Sequence, residues 1–254
     1  MFALVTAALL AAPAPVGDAI LHYVRSNRDG SEPEHVVQFR TSRTGISVYK
    51  WVEKCTAAAY VTANMDDDIQ NGRAFIAGKV AKDGTQARFG ILNLDPVLLT
   101  LSADVTPPGG PRIQAKHYLR AKPFLLYDFD FADLNSFLQE HRPKNDFAFA
   151  LPVIWPSDEA IFRDLGMLRA RYAGAEKHEG RDTLKFDLKV EGTTPSTGTL
   201  WVDAKDGYIA EAELGLPNHI EYRDFRLKLD KVEGGGKIAW DILLKSHYSR
   251  CPVT

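Results

Sequence analysis

Residues 129–152 read FDFADLNSFLQEHRPKNDFAFALP. Phe131, Leu134 and Leu138 follow i, i+3, i+7 spacing, and Phe137 widens that stripe into one apolar helix face. Asp133, Asn135, Ser136, Gln139 and Glu140 are expected to cover the other side. Asp130 is placed to cap the helix, and Asp133 to face its first-turn dipole. Pro143 stops it, because the residue before a proline is pushed out of the α region. The resulting helix is about ten residues long, too short to be stable alone. Its apolar stripe must rest on something, and nearly everything around it reads as strand and tight turn.

The strands show themselves by period two. In TLKFDLKVEG, Leu184, Phe186, Leu188 and Val190 share one face. In ILHYVRS, Ile20, His22 and Val24 oppose Leu21, Tyr23 and Arg25. HVVQFRTS and GISVYKWVEK continue the series, and KIAWDILLKS places Ile238, Trp240, Ile242 and Leu244 together as a further strand. Asp29-Gly30, Asp83-Gly84 and Asp206-Gly207 each follow a candidate strand, and glycine tolerates the positive φ of a tight or bulged hairpin loop. The clearest hairpin is GTLWVDAKDGYIAEAEL, with Thr199 to Asp203 turning back into Tyr208 to Leu214. Gly234-Gly235-Gly236 marks another reversal. HIEYRDFRLKL changes phase between Tyr222 and Phe225, which predicts a bulge near Arg223 and Asp224 and hence a bent strand. A second helical turn is expected at SDEAIFRDLG, capped by Ser157. TPPGGP, residues 106–111, reads as a surface loop within one continuous unit. Hairpins in series predict a mainly β chain: a curved antiparallel meander sheet, an open half-barrel, wrapped around one or two short helices.

The chain has 254 residues, and 31 basic side chains nearly balance 33 acidic ones. No basic stripe with interleaved aromatics suggests nucleic-acid binding. No run of about 18 apolar residues follows the N-terminus, so no transmembrane span is expected. MFALVTAALLAAPAPVGDA carries an apolar stretch from Phe2 to Ala12 and an A-x-A site at Ala12-Pro13-Ala14. That pattern matches a secretory signal peptide over residues 1–14, although no Lys or Arg precedes the apolar run. Residues 15–254 then form a single β-rich unit, exported to the periplasm of a Gram-negative envelope or secreted. The two cysteines, Cys55 and Cys251, fit no zinc or redox spacing. In an oxidising compartment they can form one disulfide, worth about 5 kcal/mol at best on the loop-entropy model; the alternative is two buried free thiols.

YDFDFADLNSFL (127–138), EGRDTLKF (179–186), GTLWVDAKDGYIAEAEL (198–214) and IEYRDFRLKL (220–229) together resemble the periplasmic half-barrel proteins typified by the lipoprotein carrier LolA and by DUF3108-type proteins. The resemblance covers about half the chain. It implies a half-barrel around a central helix and, in the ligand-binding members, an apolar ligand such as a lipid or lipoprotein acyl chain. None of these motifs is a catalytic signature, and a shared architecture does not by itself give a shared function.

Chemistry-bearing patterns are sparse. The seven histidines show no metal-binding spacing. MDDDIQNG (65–72) offers clustered carboxylates, but Gly72 is one position late for an EF-hand loop counted from Asp66. No G-x-S-x-G, Walker or dinucleotide motif is present. No cofactor is implied and no catalytic residue can be named. Aromatic residues crowd the region of the helix, either as core or as the wall of a cavity. On the cavity reading Phe129, Phe131, Leu134, Phe137, Leu138, Trp155 and Trp201 contact an apolar ligand. Three readings stay open: a lipid-binding module, an envelope structural or interaction protein with a filled core and a protein partner, and a hydrolase.

Overall fold

The computed structural model describes residues 17–155 and 161–251. The expected signal segment 1–14 and Ser157 lie outside them. The described strands are β1 (Ile20–Ser26), β2 (Glu34–Arg40), β3 (Gly45–Trp51), β4 (Ala59–Met65), β5 (Gly72–Val80), β6 (Gln86–Asp95), β7 (Thr100–Val105), β8 (Ile113–Tyr118), β9 (Phe147–Ile154), β10 (Phe162–His178), β11 (Arg181–Glu191), β12 (Ser196–Asp203), β13 (Ile209–Leu214) and β14 (Phe225–Glu233). Two helices join them, α1 (Ala132–His141) and α2 (Gly236–Ser246).

All fourteen strands lie in one antiparallel sheet, in the order β8-β7-β6-β5-β4-β3-β2-β1-β14-β13-β12-β11-β10-β9. The chain therefore starts mid-sheet and walks outward by hairpins to the β8 edge. It crosses through α1 to the opposite edge at β9, then walks back until β14 pairs with β1. The mainly β meander expected from the alternation is the observed architecture, and the sheet is not closed. Its two edges approach without pairing strand to strand. His117 of β8 stacks on Phe162 at 5.5 Å, and Arg120 meets Asp164 at 3.0 Å. The crossing segment covers part of the β9 edge, since the Leu125 N–H donates to the Ala150 carbonyl at 2.9 Å.

Bulges supply the curvature. The β1–β14 register slips between His22 and Tyr23, and the β10–β11 register between Tyr172 and Gly174; each slip bends its strand. At Gly166 the backbone has φ +104°, and a Cβ would lie 2.2 Å from the Glu191 carbonyl oxygen, so only glycine fits there.

The concave face packs on α1. Val36, Val48, Leu101, Leu188, Leu200, Leu214, Phe225 and Leu227 surround Phe131, Leu134 and Leu138 in one continuous core. A second, smaller core lies on the outer face of β1–β3, where Ile20, Val37, Phe39, Tyr49 and Trp51 meet Trp240 and Leu244 of α2.

Three expectations about local structure are corrected. KIAWDILLKS is a helix and not a strand. Its alternation is real, but Trp240 and Leu244 are also four apart, and a helix carries both onto the apolar outer face of β1–β3. Ile238 and Ile242, on the expected strand face, are left in solvent. The triple glycine is the entry to α2, with positive φ at Gly235 and Gly236. HIEYRDFRLKL does not bulge at Arg223 and Asp224; residues 217–224 are loop and turn, and the strand starts at Phe225. The phase break between Tyr222 and Phe225 marks the strand's beginning. In SDEAIFRDLG the described part from Phe162 is strand, paired with β9, where a helical turn was expected.

Cys55 and Cys251 are bonded. The link ties the end of the chain after α2 to the loop after β3. Neither described helix is long and apolar enough to cross a membrane.

Candidate functional site

α1 begins with strained backbone. Asp130 and Phe131 have φ of 51° and 56°, a left-handed conformation that non-glycine residues adopt at a cost. Side chains hold it there. The Asp130 carboxylate, fully buried, accepts from Lys50 Nζ at 2.7 Å and from Asn218 Nδ2 at 2.7 Å. Arg25 Nε stands 3.6 Å away and His219 Nε2 3.8 Å. Gln38 Nε2 donates to the Asp130 carbonyl at 2.9 Å. Arg25 is itself clamped by Glu34 and Asn218, with its guanidinium 3.5 Å from the centre of the Tyr222 ring. Burial alone would push the Asp130 carboxyl up, but the charges of Lys50 and Arg25 outweigh it and hold the carboxyl well below the usual range.

The expected capping role of Asp130 is therefore corrected. Phe131 occupies the cap position, without a side-chain capping bond, and the Asp130 carboxylate belongs to the Lys50 cluster. A buried carboxylate finds more stabilisation in two cations than in one orphan N–H.

The polar side of α1 was expected to be a covering face; Asp133, Asn135 and Ser136 are buried as well, while Gln139 and Glu140 stay partly exposed. Asn135 Nδ2 donates to Tyr23 Oη at 2.9 Å and to Gln38 Oε1 at 2.7 Å, while its Oδ1 accepts from the Ile209 N–H at 2.9 Å. One side chain thus joins the helix to β1, β2 and β13. Asp133 accepts from the Leu126 and Leu134 N–H groups, and burial pushes its pKa up to about 7 against those bonds.

At the far end of α1, Glu140 sits between Arg40 Nη2 at 3.2 Å and Arg43 Nε at 2.8 Å. Arg142 closes the helix in a left-handed conformation, its N–H bonded to the Leu138 carbonyl. Its guanidinium donates to the carbonyls of Lys205 and Asp206 in the Asp-Gly turn. Gly207 packs so tightly there that a Cβ would stand 3.1 Å from the Leu138 carbonyl oxygen.

Between this end of α1 and strands β1–β3 lies a cavity of about 450 Å³. Leu21, Ile46, Ala132 and Val232 give it apolar wall; Gln38, Arg40, Asn135, Gln139, Glu140, Arg142 and Asp206 give it polar wall. Its volume falls in the range of small-molecule sites.

None of the seven residues expected to touch a ligand lines this cavity. Phe129, Phe131, Leu134, Phe137 and Leu138 come together, but inside the packed core. Phe131 lies against Phe225 at 5.1 Å and Phe137 against Phe149 at 5.0 Å. Trp155 is half-buried at the end of β9, under the Arg163 guanidinium. Trp201 is on the outer face of β12, stacked on His178 at 4.1 Å and bonded to Glu176.

The residues around the cavity and around Asp130 were missed, although part of the signal was present. Arg25 is in phase with Leu21 and Tyr23, Lys50 with Ile46 and Val48, and Arg40 with Val36. A cation in phase with an apolar stripe is a buried cation, and it requires a partner.

The acidic loop at 65–72 has a structural task. Asp66 Oδ1 accepts from the Gln70 N–H, and Asn71 Oδ1 accepts from the Phe124 N–H, fixing the entry to the crossing segment. Among the described residues no three His, Cys, Asp or Glu side chains gather as a metal site. No protein-family model matches this chain, and neither does any curated protein.

Proposed function

We propose that this chain is an exported binding protein of the cell envelope, and that it holds the apolar part of a lipid-like ligand between α1 and strands β1–β3. The observation that carries the reading is the cavity of about 450 Å³ with Leu21, Ile46 and Val232 in its wall. The space is a cleft open to solvent at the end of α1, and its volume falls in the range of small-molecule sites. The Cys55–Cys251 disulfide supports residence in an oxidising compartment such as the periplasm. The half-barrel resemblance and the leader-like N-terminus support the same address.

One observation favours a second reading, an envelope structural or interaction protein with a filled core. The apolar stripe of α1 is fully packed, with Phe131, Leu134 and Leu138 at 0% exposure. Native mass spectrometry of the protein purified from a bacterial periplasm separates the two. Co-purified lipid-sized adducts, lost on Ile46→Trp as the indole fills the cavity, support the binding reading. A single bare mass in every preparation favours the filled core.

A further inference from the structure

Arg40 stands at the end of β2, in phase with the inward residues Val36 and Gln38, and lines the cavity beside α1. It is 8% exposed. Its Nη2 donates to the Arg43 carbonyl at 2.7 Å and to Glu140 Oε2 at 3.2 Å. Its Nε is buried with no acceptor. Buried guanidinium N–H groups almost always have partners, so an orphan at a cavity wall marks a place where an acceptor belongs.

The charges around it favour an anion. Glu140 is shared between Arg40 and Arg43, so one carboxylate answers two guanidinium groups. Arg142, on the cavity wall, donates to backbone carbonyls and forms no ion pair among the described residues. Asp206 is the opposing carboxylate of the wall. On the wall itself Arg40 and Arg142 face Glu140 and Asp206, so the room for an anion lies at Arg40, whose carboxylate partner is divided with Arg43. Burial holds the Arg40 pKa below its ordinary value, partly offset by Glu140; a desolvated cation of this kind gains most from a further anion. Leu21, Ile46 and Val232 continue the wall as apolar surface, which suits a chain and not a bare ion.

We propose that Arg40 is the head-group receptor of this cavity, and that the ligand is a single-chain amphiphile with an anionic head, a carboxylate or a phosphate monoester. The inference rests on the cavity reading above and names the ligand class for that same site. The head accepts from the Arg40 guanidinium, as charge-assisted pairs with arginine do, and the chain runs along Leu21 and Ile46.

Isothermal titration of the disulfide-bonded protein with decanoate, decyl phosphate, decanol and acetate at one ionic strength tests it. Decanoate and decyl phosphate are expected to bind about tenfold or more tightly than decanol, the worth of a hydrogen bond to a charged group. Acetate is expected to bind far more weakly than decanoate. Arg40→Met should bring decanoate down to the level of decanol and leave decanol unchanged, while Arg40→Lys should keep part of the preference. Equal binding of decanoate and decanol overturns the head-group role and leaves the cavity reading standing. Acetate binding as tightly as decanoate overturns the amphiphile. Binding of none of the four sinks the cavity reading itself. The wild-type series decides even where the Arg40 variants fail to fold.

Discussion

At the scale of single residues, Asp130 is the point on which α1 turns. Its carboxylate meets Lys50, Asn218, Arg25 and His219 while its backbone is held left-handed. Removing its charge leaves the buried Lys50 ammonium without its counter-ion and takes one of two from Arg25, which keeps Glu34. Asp130→Asn is therefore expected to cost about 3–5 kcal/mol in urea unfolding; a loss under about 1 kcal/mol would show that the cluster is incidental. Lys50→Met in the same chain should recover part of that loss, because a buried pair can be exchanged for apolar packing once both partners go. The two buried aspartates have opposite pH signatures. The depressed pKa of Asp130 contributes stability above its unfolded value near 4, and that stability falls away as the pH drops below about 4. Asp133 is raised to about 7. Its folded form holds a proton that the unfolded chain releases near 4, so its contribution is full below about pH 4 and is lost as the pH rises through about 7. Asp133→Asn should flatten the decline in stability between about pH 4 and 7. An unchanged slope would place the titrating group elsewhere.

At the scale of elements, α1 is a buried strut. Leu138 is fully buried and lies away from the cavity, so Leu138→Ala is expected to cost about 2–5 kcal/mol. Ile46 borders the cavity and should cost less on truncation, since part of its surroundings is already open. Equal losses in chemical denaturation would mean that the cavity is collapsed in solution. The position, length and apolar stripe of α1 were legible because helical spacing and a proline stop are local signals. The burial of its polar first half was not legible: Asn135 and Ser136 look like a solvent face until Tyr23, Gln38 and Ile209 are brought to them. α2 was misread because its sequence satisfies two periods at once, and only the apolar outer face of β1–β3 decides between them. The disulfide anchors the end of the chain after α2 across a separation of 196 residues. Reduction is expected to cost up to about 5 kcal/mol on the loop-entropy model, with a change in Trp240 fluorescence as α2 loosens from Phe39. Unchanged stability after complete reduction would show that α2 holds by packing alone.

At the scale of the molecule, the hairpin series makes a long sheet, and the crossing segment packs its helix on the concave face. The chain passes from the β8 edge to the β9 edge through α1, so the plug is also the strap that draws the two edges together. The hairpins could be read from alternation and Asp-Gly turns because each lies within a few tens of residues. The pairing of β1 with β14 could not, since partners such as Leu21 and Val232 share no local pattern. Nor could the cavity be read, because aromatic residues that fill a core and residues that wall a cavity have the same composition. What divides them is packing, and here the stripe of α1 packs while the side facing β1–β3 leaves space. The claim that an apolar chain enters beside α1, without displacing the core, has a direct test. A crystal of the protein with a bromine-tagged decanoate would locate the chain by the anomalous signal of the bromine. The peak is expected among Leu21, Ile46, Ala132 and Val232, with the carboxylate at Arg40. A peak among Phe131, Phe137 and Leu138, or no peak in a crystal soaked to saturation, would contradict it.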